Sequence, residues 1–150
     1  AQVVGAGGEV IAADKKMLSI HGLRKAAERW RPAGKLTVER RDAMEVLREQ
    51  AAPGAPGLDA ALLFDVLHHV QDLSALAAEL RRAVRAGGLA IVYPSAGPHP
   101  GRVDMSDIAR RLSEAGFAPA GEHRLRLPHA GHMTEDTVYV FRRSGWLGKQ

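Results

Sequence analysis

The amino-acid sequence predicts an α/β fold: a Rossmann-like, mostly parallel sheet with helices on both faces and an antiparallel strand at its C-terminal end. Short apolar runs alternate with helical patterns and begin about 25 to 30 residues apart, as in right-handed β-α-β crossovers. Residues 58–64 are apolar except for Asp59, which is typical of a strand buried on both faces. Two β-like segments close the chain without a helix between them, which predicts the antiparallel strand.

The first half of the chain is expected to contain two strands and two helices. Glycines 5, 7 and 8 form a turn into an apolar run that ends at Asp14. Apolar residues at helical spacing follow from Met17 to Trp30, and the segment Pro32-Ala-Gly34 is expected to end that helix. The predicted elements are a strand at 9–13, a helix ending near 30, a strand at 35–40 and a short helix at 43–50.

The second half begins with a linker rich in proline and glycine, residues 53–57, which leads into the strand at 58–64. Asp72 or Ser74 can cap the next helix, and Gly87-Gly88 is expected to end it before a strand at 89–93. The remaining predicted elements are a helix capped by Ser106 and closed by Gly116, and β-like segments at 118–127 and 137–142. We expect one domain, residues 1–143, with a tail at 144–150.

Composition narrows the class of protein. The chain has 150 residues and no cysteine, which excludes disulfides and thiolate chemistry and is compatible with a reducing cytoplasm. No apolar run approaches the ~20 residues of a membrane span, so we expect a cytoplasmic protein with no membrane partner. The net charge of +4 comes from arginines spread along the predicted helices, which favours solvated faces over a nucleic-acid surface.

Acidic and imidazole side chains follow three of the predicted strands. Asp14 follows the first strand, Asp42 the second, and Asp65 with His68 and His69 the third. Ligands of open α/β sheets bind outside the carboxyl ends of the strands, so these residues are the candidates for a functional site.

The two adjacent histidines are expected to point about 100° apart on a helical turn and rarely to serve one site together. His68 is then a candidate general base, because an unperturbed imidazole has a pKa of ~6.5. A structural histidine held by hydrogen bonds explains the same residue equally well.

Two other motifs resemble binding sites of a different kind, a dinucleotide site and a metal site. The glycines after Val4 resemble the start of a dinucleotide fingerprint, but residues 9–13 continue as a strand and leave no room for the helix that motif needs. Residues 129–136 contain two histidines, a glutamate and an aspartate, and their glycine-containing spacing in a hairpin favours a solvated turn. We therefore expect no nicotinamide or flavin site and no metal.

Five segments of the chain form a pattern when they are taken together. They are Gly8-Glu-Val-Ile-Ala-Ala-Asp14, Arg41-Asp42-Ala43, Leu63-Phe-Asp-Val-Leu-His-His-Val70, Leu80-Arg-Arg-Ala-Val-Arg-Ala-Gly-Gly88 and Glu114-Ala-Gly-Phe117. In this order, and over about residues 5–143, they resemble the class I S-adenosylmethionine-dependent methyltransferases. The likeness is closest to the small-molecule-type branch, in which an acid-x-Leu-His-His-Val element follows the fourth strand.

The resemblance implies S-adenosylmethionine as cofactor. It makes Asp14 the ligand of the cofactor's ribose, although Asp14 could instead cap the next helix. It places Asp42 at the adenine amino group, although a turn-capping aspartate is the alternative. The other implied contacts are Lys15 and Ala43 beside the adenine, Phe64 and Asp65 at the amino-acid end, and Asp65 and His68 nearest the methyl acceptor.

The family's first strand and its glycine-rich loop, an acid-x-Gly-x-Gly pattern, should lie 20 or more residues before Asp14. We therefore expect an N-terminally truncated domain that alone is inactive and poorly stable, and that needs the missing segment or another chain. The expected activity is methyl transfer to a small-molecule acceptor. One alternative is a non-catalytic methyltransferase-like binding or assembly domain. An RNA methyltransferase is a less favoured alternative, because the Asn/Asp-Pro-Pro-aromatic pattern of nucleobase methylation is absent.

Overall fold

The computed structural model describes residues 4–31, 33–94, 104–129 and 132–145. Helices and strands alternate in the predicted order, which confirms the α/β fold. The chain divides into two compact units, Ala1–Val46 and Leu47–Gln150. The elements are β1 Glu9–Ala13, α1 Met17–Trp30, β2 Lys35–Glu39, α2 Ala43–Gln50, β3 Leu58–Phe64, a short 3₁₀ turn Leu67–His69, α3 Leu73–Ala83, β4 Val84–Tyr93, α4 Met105–Glu114, β5 Phe117–His129 and β6 His132–Arg143.

The first unit contains a parallel pair of strands, β1 and β2, in register from Glu9 opposite Lys35 to Ala13 opposite Glu39. A turn precedes β1, in which the Gly8 N–H donates to the Gly5 carbonyl at 3.2 Å. The strand follows this turn directly, which confirms the strand expected there in place of the helix of a dinucleotide fingerprint.

Helix α1 ends at Trp30, followed by Arg31 in the left-handed region at φ 41°. Pro32, expected to end this helix, lies outside the described residues. Of the apolar residues in the helix, Ile20 is buried, whereas the Met17 and Trp30 side chains are 55% and 66% exposed. The predicted stripe is therefore buried only in part, because the two strands of this unit cover little of the helix surface.

The second unit contains a four-stranded sheet in the order β3-β4-β6-β5. Strand β4 runs parallel to β3, whereas β6 runs antiparallel to both β4 and β5. The antiparallel C-terminal strand is thus confirmed. The described strands form two sheets, one in each unit.

Helix α3 ends at Ala83, not at the glycine pair as predicted. Strand β4 begins at Val84, which is fully buried and lies opposite Leu58. The register then shifts, so that the next aligned pair is Ala60 with Leu89, and the two glycines lie in this irregular stretch of β4. Burial of a β-branched residue in the sheet outweighs the local signal for a helix end.

One face of the four-stranded sheet carries the core of the second unit. Its strand residues alternate, since Ala61 and Leu63 of β3 are buried whereas Leu62 is 62% exposed. Helices α3 and α4 contribute apolar side chains to the same core. The buried residues of this core include Leu76, Ala77, Leu80, Ile108 and Leu112 on the two helices, and Ala90, Val92 and Phe141 on the strands.

The cap of α3 is one of the two residues predicted from the sequence, whereas the cap of α4 is a different residue from the one predicted. The Asp72 carboxylate accepts from the Ala75 N–H at 2.9 Å, so Asp72 rather than Ser74 caps α3. Helix α4 is capped by Asp104, whose Oδ1 accepts from the Ser106 N–H at 2.9 Å, and not by Ser106 itself. An aspartate two residues before Ser106 reaches the free N–H groups first. No helix in the described part of the chain has the length and apolarity to cross a membrane.

Replacing Asp72 with alanine should lower the free energy of unfolding by about 1 kcal/mol, because the Ala75 N–H loses its acceptor. Chemical denaturation measures this change. Asparagine at the same position keeps an acceptor oxygen and should cost only a few tenths of a kcal/mol. Equal losses in the two variants would mean that the capping bond does not stabilise α3.

Candidate functional site

Asp14 lies directly after β1, at the edge where the carboxyl ends of β1 and β2 meet. Its backbone N–H donates to the Glu39 carbonyl at 3.2 Å, which continues the pairing by one residue. Its carboxylate Oδ1 accepts from the Lys16 N–H at 2.7 Å, and the residue is half-buried. This turn leaves a fixed carboxylate at the end of the strand.

Asp42 lies beyond β2 and makes two kinds of contact. Its Oδ1 accepts from the Met44 N–H at 2.7 Å and its carbonyl from the Glu45 N–H at 3.1 Å, so it caps α2. Its Oδ2 forms an ion pair with the Lys15 ammonium. The hydrogen bond to Asp42 raises the pKa of Lys15, and the attraction between the charges adds to the rise.

The first unit therefore brings together four of the predicted site residues at one edge of its sheet. Asp14 and Lys15 follow β1, while Asp42 and Ala43 follow β2, and the Lys15–Asp42 ion pair joins the two strand ends. Ala43 is the exposed first residue of α2. Asp42 caps α2, which is the alternative role considered for it. Asp14 accepts from the Lys16 N–H in a turn, and α1 has no side-chain cap, so the helix-capping alternative for Asp14 is wrong.

Asp65 lies directly after β3 in the second unit and has a left-handed backbone at φ 53°. Such a conformation costs a residue other than glycine about 1 kcal/mol or more, although aspartate tolerates it better than most. The Asp65 N–H donates to the Tyr93 carbonyl at 3.0 Å, which holds the end of β3 against the end of β4. Backbone strain at a strand end is common where a side chain must be directed at a ligand.

His68 lies on the 3₁₀ turn that follows Asp65. Its Nδ1 is 3.6 Å from the Asp65 Oδ1, and its side chain is 19% exposed against 40% for Asp65. The His69 ring is exposed and its centroid lies 3.9 Å from that of His68. The sequence predicts diverging histidines, but their rings are in contact, because side-chain rotation can bring together rings whose Cβ atoms diverge.

Phe64 completes the second group of predicted site residues. Its side chain is 38% exposed, and its ring meets that of buried Tyr93 edge to face, with centroids 5.9 Å apart. The parallel pairing of β3 with β4 places these two residues side by side. The second unit thus brings together Phe64, Asp65 and His68 at the carboxyl end of β3, with Tyr93 as a neighbour that the resemblance did not assign.

The histidines and acidic residues of 129–136, for which the sequence favours a solvated turn, are described only in part. Glu135 and Asp136 lie on β6, while the side chains of His129 and His132 lie outside the described part. Within the described residues, no three histidine, aspartate or glutamate side chains are grouped so that they could hold a metal ion.

Comparison with known proteins identifies a family for this chain and solved structures with a similar fold. The family model described as "Methyltransferase domain" matches residues 4–92. No curated protein sequence matches the chain. Among solved structures, the chain is similar to a SAM-dependent methyltransferase from Methanosarcina mazei, with 13% identity, a TM-score of 0.61, and coverage of 95% of this chain and 85% of that one.

Two further solved structures share the fold. The N-methyltransferase NodS from Bradyrhizobium japonicum is 12% identical, with a TM-score of 0.64 and coverage of 95% of this chain and 83% of that one. Magnesium protoporphyrin IX methyltransferase from Synechocystis, solved with bound SAH, is 21% identical, with a TM-score of 0.61 and coverage of 93% and 65%. At these identities the likeness establishes the fold.

Proposed function

This chain belongs to the class I S-adenosylmethionine-dependent methyltransferases, in the family described as "Methyltransferase domain", and from that premise we propose that it methylates a small-molecule acceptor. The observation that carries this proposal is the placement of acidic side chains beyond the carboxyl ends of β1, β2 and β3. Proteins of similar fold, such as magnesium protoporphyrin IX methyltransferase, support a small-molecule acceptor. In this proposal residues 1–143 form one methyltransferase domain, and the cysteine-free composition supports a cytoplasmic location.

The residues of the first unit suit the nucleoside part of S-adenosylmethionine. Asp14 offers a half-buried carboxylate whose Oδ1 accepts from the Lys16 N–H, and we assign its second oxygen to the ribose hydroxyls. Charge-assisted hydrogen bonds of this kind contribute roughly 1.5 to 3 kcal/mol each. Asp42 would accept from the adenine amino group, with Lys15 and the Ala43 N–H beside the ring. A carboxylate has about four acceptor positions, so its bonds to Met44 and Lys15 leave capacity for the ligand.

The residues after β3 suit the reacting end of the site. When bound, S-adenosylmethionine supplies a methyl group whose carbon is open to attack by a nucleophile, because it is bonded to a positively charged sulfur. Phe64 and Asp65 would hold the amino-acid end of the cofactor. Asp65 near the His68 Nδ1 favours the tautomer in which Nδ1 carries the proton, which leaves Nε2 able to accept a proton from the acceptor. Positioning for in-line attack supplies the remaining acceleration.

Methyl transfer can be followed with S-adenosylmethionine labelled at the methyl group, using the complete protein and separate pools of small amines, phenols and carboxylates, and of RNA. The proposal expects label in a small-molecule pool. Label in RNA would instead support the RNA methyltransferase. Absence of label from every pool, together with intact donor binding, would support a non-catalytic binding or assembly domain and contradict the proposal.

The role of His68 has its own test once an acceptor is found. Replacing His68 with glutamine should lower kcat about a hundredfold and remove the rise of kcat with pH that accompanies deprotonation of a catalytic imidazole. Replacing the exposed His69 in the same way is the matched control and should leave that pH profile in place. An unchanged pH profile in the His68 variant would show that this residue is not the base.

The free edge of β3 supports a further partner for the sheet. Among the described residues β3 pairs with β4 alone, although six of its seven residues are apolar and Leu62 is 62% exposed. Such an edge is an open template for another strand. We propose that a strand from a preceding segment of the protein or from another chain pairs there. Amide hydrogen exchange across 58–64 should then slow when that segment is present, and unchanged exchange would contradict this pairing.

A further inference from the structure

A groove of about 380 Å³ lies within the second unit, between α4 and the β5–β6 hairpin. This volume falls in the usual range for small-molecule sites, about 300 to 1,000 Å³. Neither the resemblance nor the proposed methyl-transfer chemistry uses any of its lining residues. The residues that line the groove include Met105, Ala109, Pro119, Glu122, Tyr139 and Phe141.

The groove is apolar along its base because neighbouring strands direct matching side chains to one face. Pro119 lies opposite Phe141, and Glu122 lies opposite Tyr139. The register between β5 and β6 shifts between Pro119 and Gly121, so that Ala120 has no aligned partner. This bulge separates the proline from the carboxylate along β5, and the groove lies between them.

The polar lining of the groove is negative. Glu122 is exposed and forms no ion pair with any described cation. The basic residue two positions further on, Arg124, pairs instead with Glu135, its Nε lying 3.9 Å from Oε2. At the start of α4, Asp104 binds Ser106, another groove residue, with its Oδ2 2.6 Å from Oγ. An apolar base beside an uncompensated carboxylate favours a ligand of opposite charge.

We propose that this groove binds a small organic cation with a flat apolar body, namely an aryl-alkyl ammonium compound. The ammonium group pairs with Glu122, and the apolar body packs against Pro119 and Phe141. The Tyr139 ring and hydroxyl offer a further partner for the cation, through its π face or as a hydrogen-bond acceptor. This site goes beyond the proposed methyl transfer, because binding there needs neither the donor nor the residues that follow β1, β2 and β3.

Isothermal titration calorimetry of the complete protein tests the proposal with 2-phenylethylammonium and its neutral counterpart 2-phenylethanol, both without S-adenosylmethionine. The ammonium compound should bind at least tenfold more tightly than the alcohol. Glu122→Gln should weaken ammonium binding about tenfold and leave alcohol binding unchanged. Glu28→Gln removes an exposed carboxylate from α1 in the first unit, outside the groove, and is the matched control, with no expected change.

Ala109→Trp fills the groove from the α4 side and should abolish binding of both compounds, with circular dichroism confirming that the variant folds. Equal affinities for the two probes, or ammonium binding that survives Glu122→Gln, would overturn the proposal. Sedimentation measures the remaining occupant: a dimer that Ala109→Trp dissociates would assign the groove to a second copy of the chain instead. Because the donor is absent from these titrations, their failure leaves the proposed methyl transfer untouched.

Discussion

Replacing Asp14 with asparagine is expected to weaken S-adenosylmethionine binding about a hundredfold. The change keeps an oxygen that can accept from the Lys16 N–H, so the turn after β1 persists. It removes the negative charge that strengthens the proposed bonds to the ribose hydroxyls, and loss of one to two charge-assisted bonds corresponds to a factor of this size. Calorimetric titration of the complete protein with the donor measures the affinity.

Glu28 supplies the control for the Asp14 variant. It is an exposed carboxylate on α1 in the same unit, so Glu28→Gln makes the same change of charge away from the strand ends. Donor affinity should stay within twofold of the unmodified protein in this variant. A similar loss in both variants would assign the effect to net charge, and no loss in the Asp14 variant would remove Asp14 from the donor site.

Replacing Gly88 with alanine is expected to lower the free energy of unfolding by about 3 kcal/mol. A Cβ at this buried position would lie 2.7 Å from the Val84 Cγ1, 2.8 Å from the Asp59 carbonyl oxygen and 2.9 Å from the Arg85 carbonyl oxygen. Two of these three atoms belong to the backbone, so relief of the clash requires β3 and β4 to move. Chemical denaturation of the variant measures the loss.

The matched control for Gly88 is Gly145, in the same unit, where an added Cβ would meet nothing within 4 Å. Gly145→Ala should change the free energy of unfolding by less than about 0.5 kcal/mol. If Gly88→Ala were as well tolerated as this control, the close approach of β3 and the irregular start of β4 would be wrong.

The strands and helices that are predicted most accurately from the sequence are those fixed by a local pattern of apolar residues. The apolar run at 58–64 is β3, and the acidic residues 14, 42 and 65 lie directly beyond strands or at the helix that follows. A run of consecutive apolar residues bounded by glycine and proline has few other solutions. The strand-end positions of the site residues follow from those boundaries, because parallel strands share one carboxyl edge.

The sequence predicts less well the features that depend on distant partners. The start of β4 is decided by pairing with β3 and burial of Val84, which outweigh the helix-ending signal of Gly87 and Gly88. The left-handed backbone of Asp65 accompanies its hydrogen bond to the distant Tyr93. The contact of the two adjacent histidine rings depends instead on side-chain rotamers, which have no periodic signal. The groove depends on a bulge near Gly121 and on packing of α4 against the β5–β6 hairpin, neither of which has a periodic signal.

The most direct test of the central claim is calorimetric titration of the complete protein with S-adenosylmethionine. A methyltransferase with the proposed donor contacts at Asp14 and Asp42 should bind one molecule of donor saturably, in the micromolar range, since two or more charge-assisted bonds add to the packing of the adenine. Binding should fall in the Asp14→Asn variant and persist in Glu28→Gln. No binding at millimolar donor would contradict the claim that this chain acts as a methyltransferase.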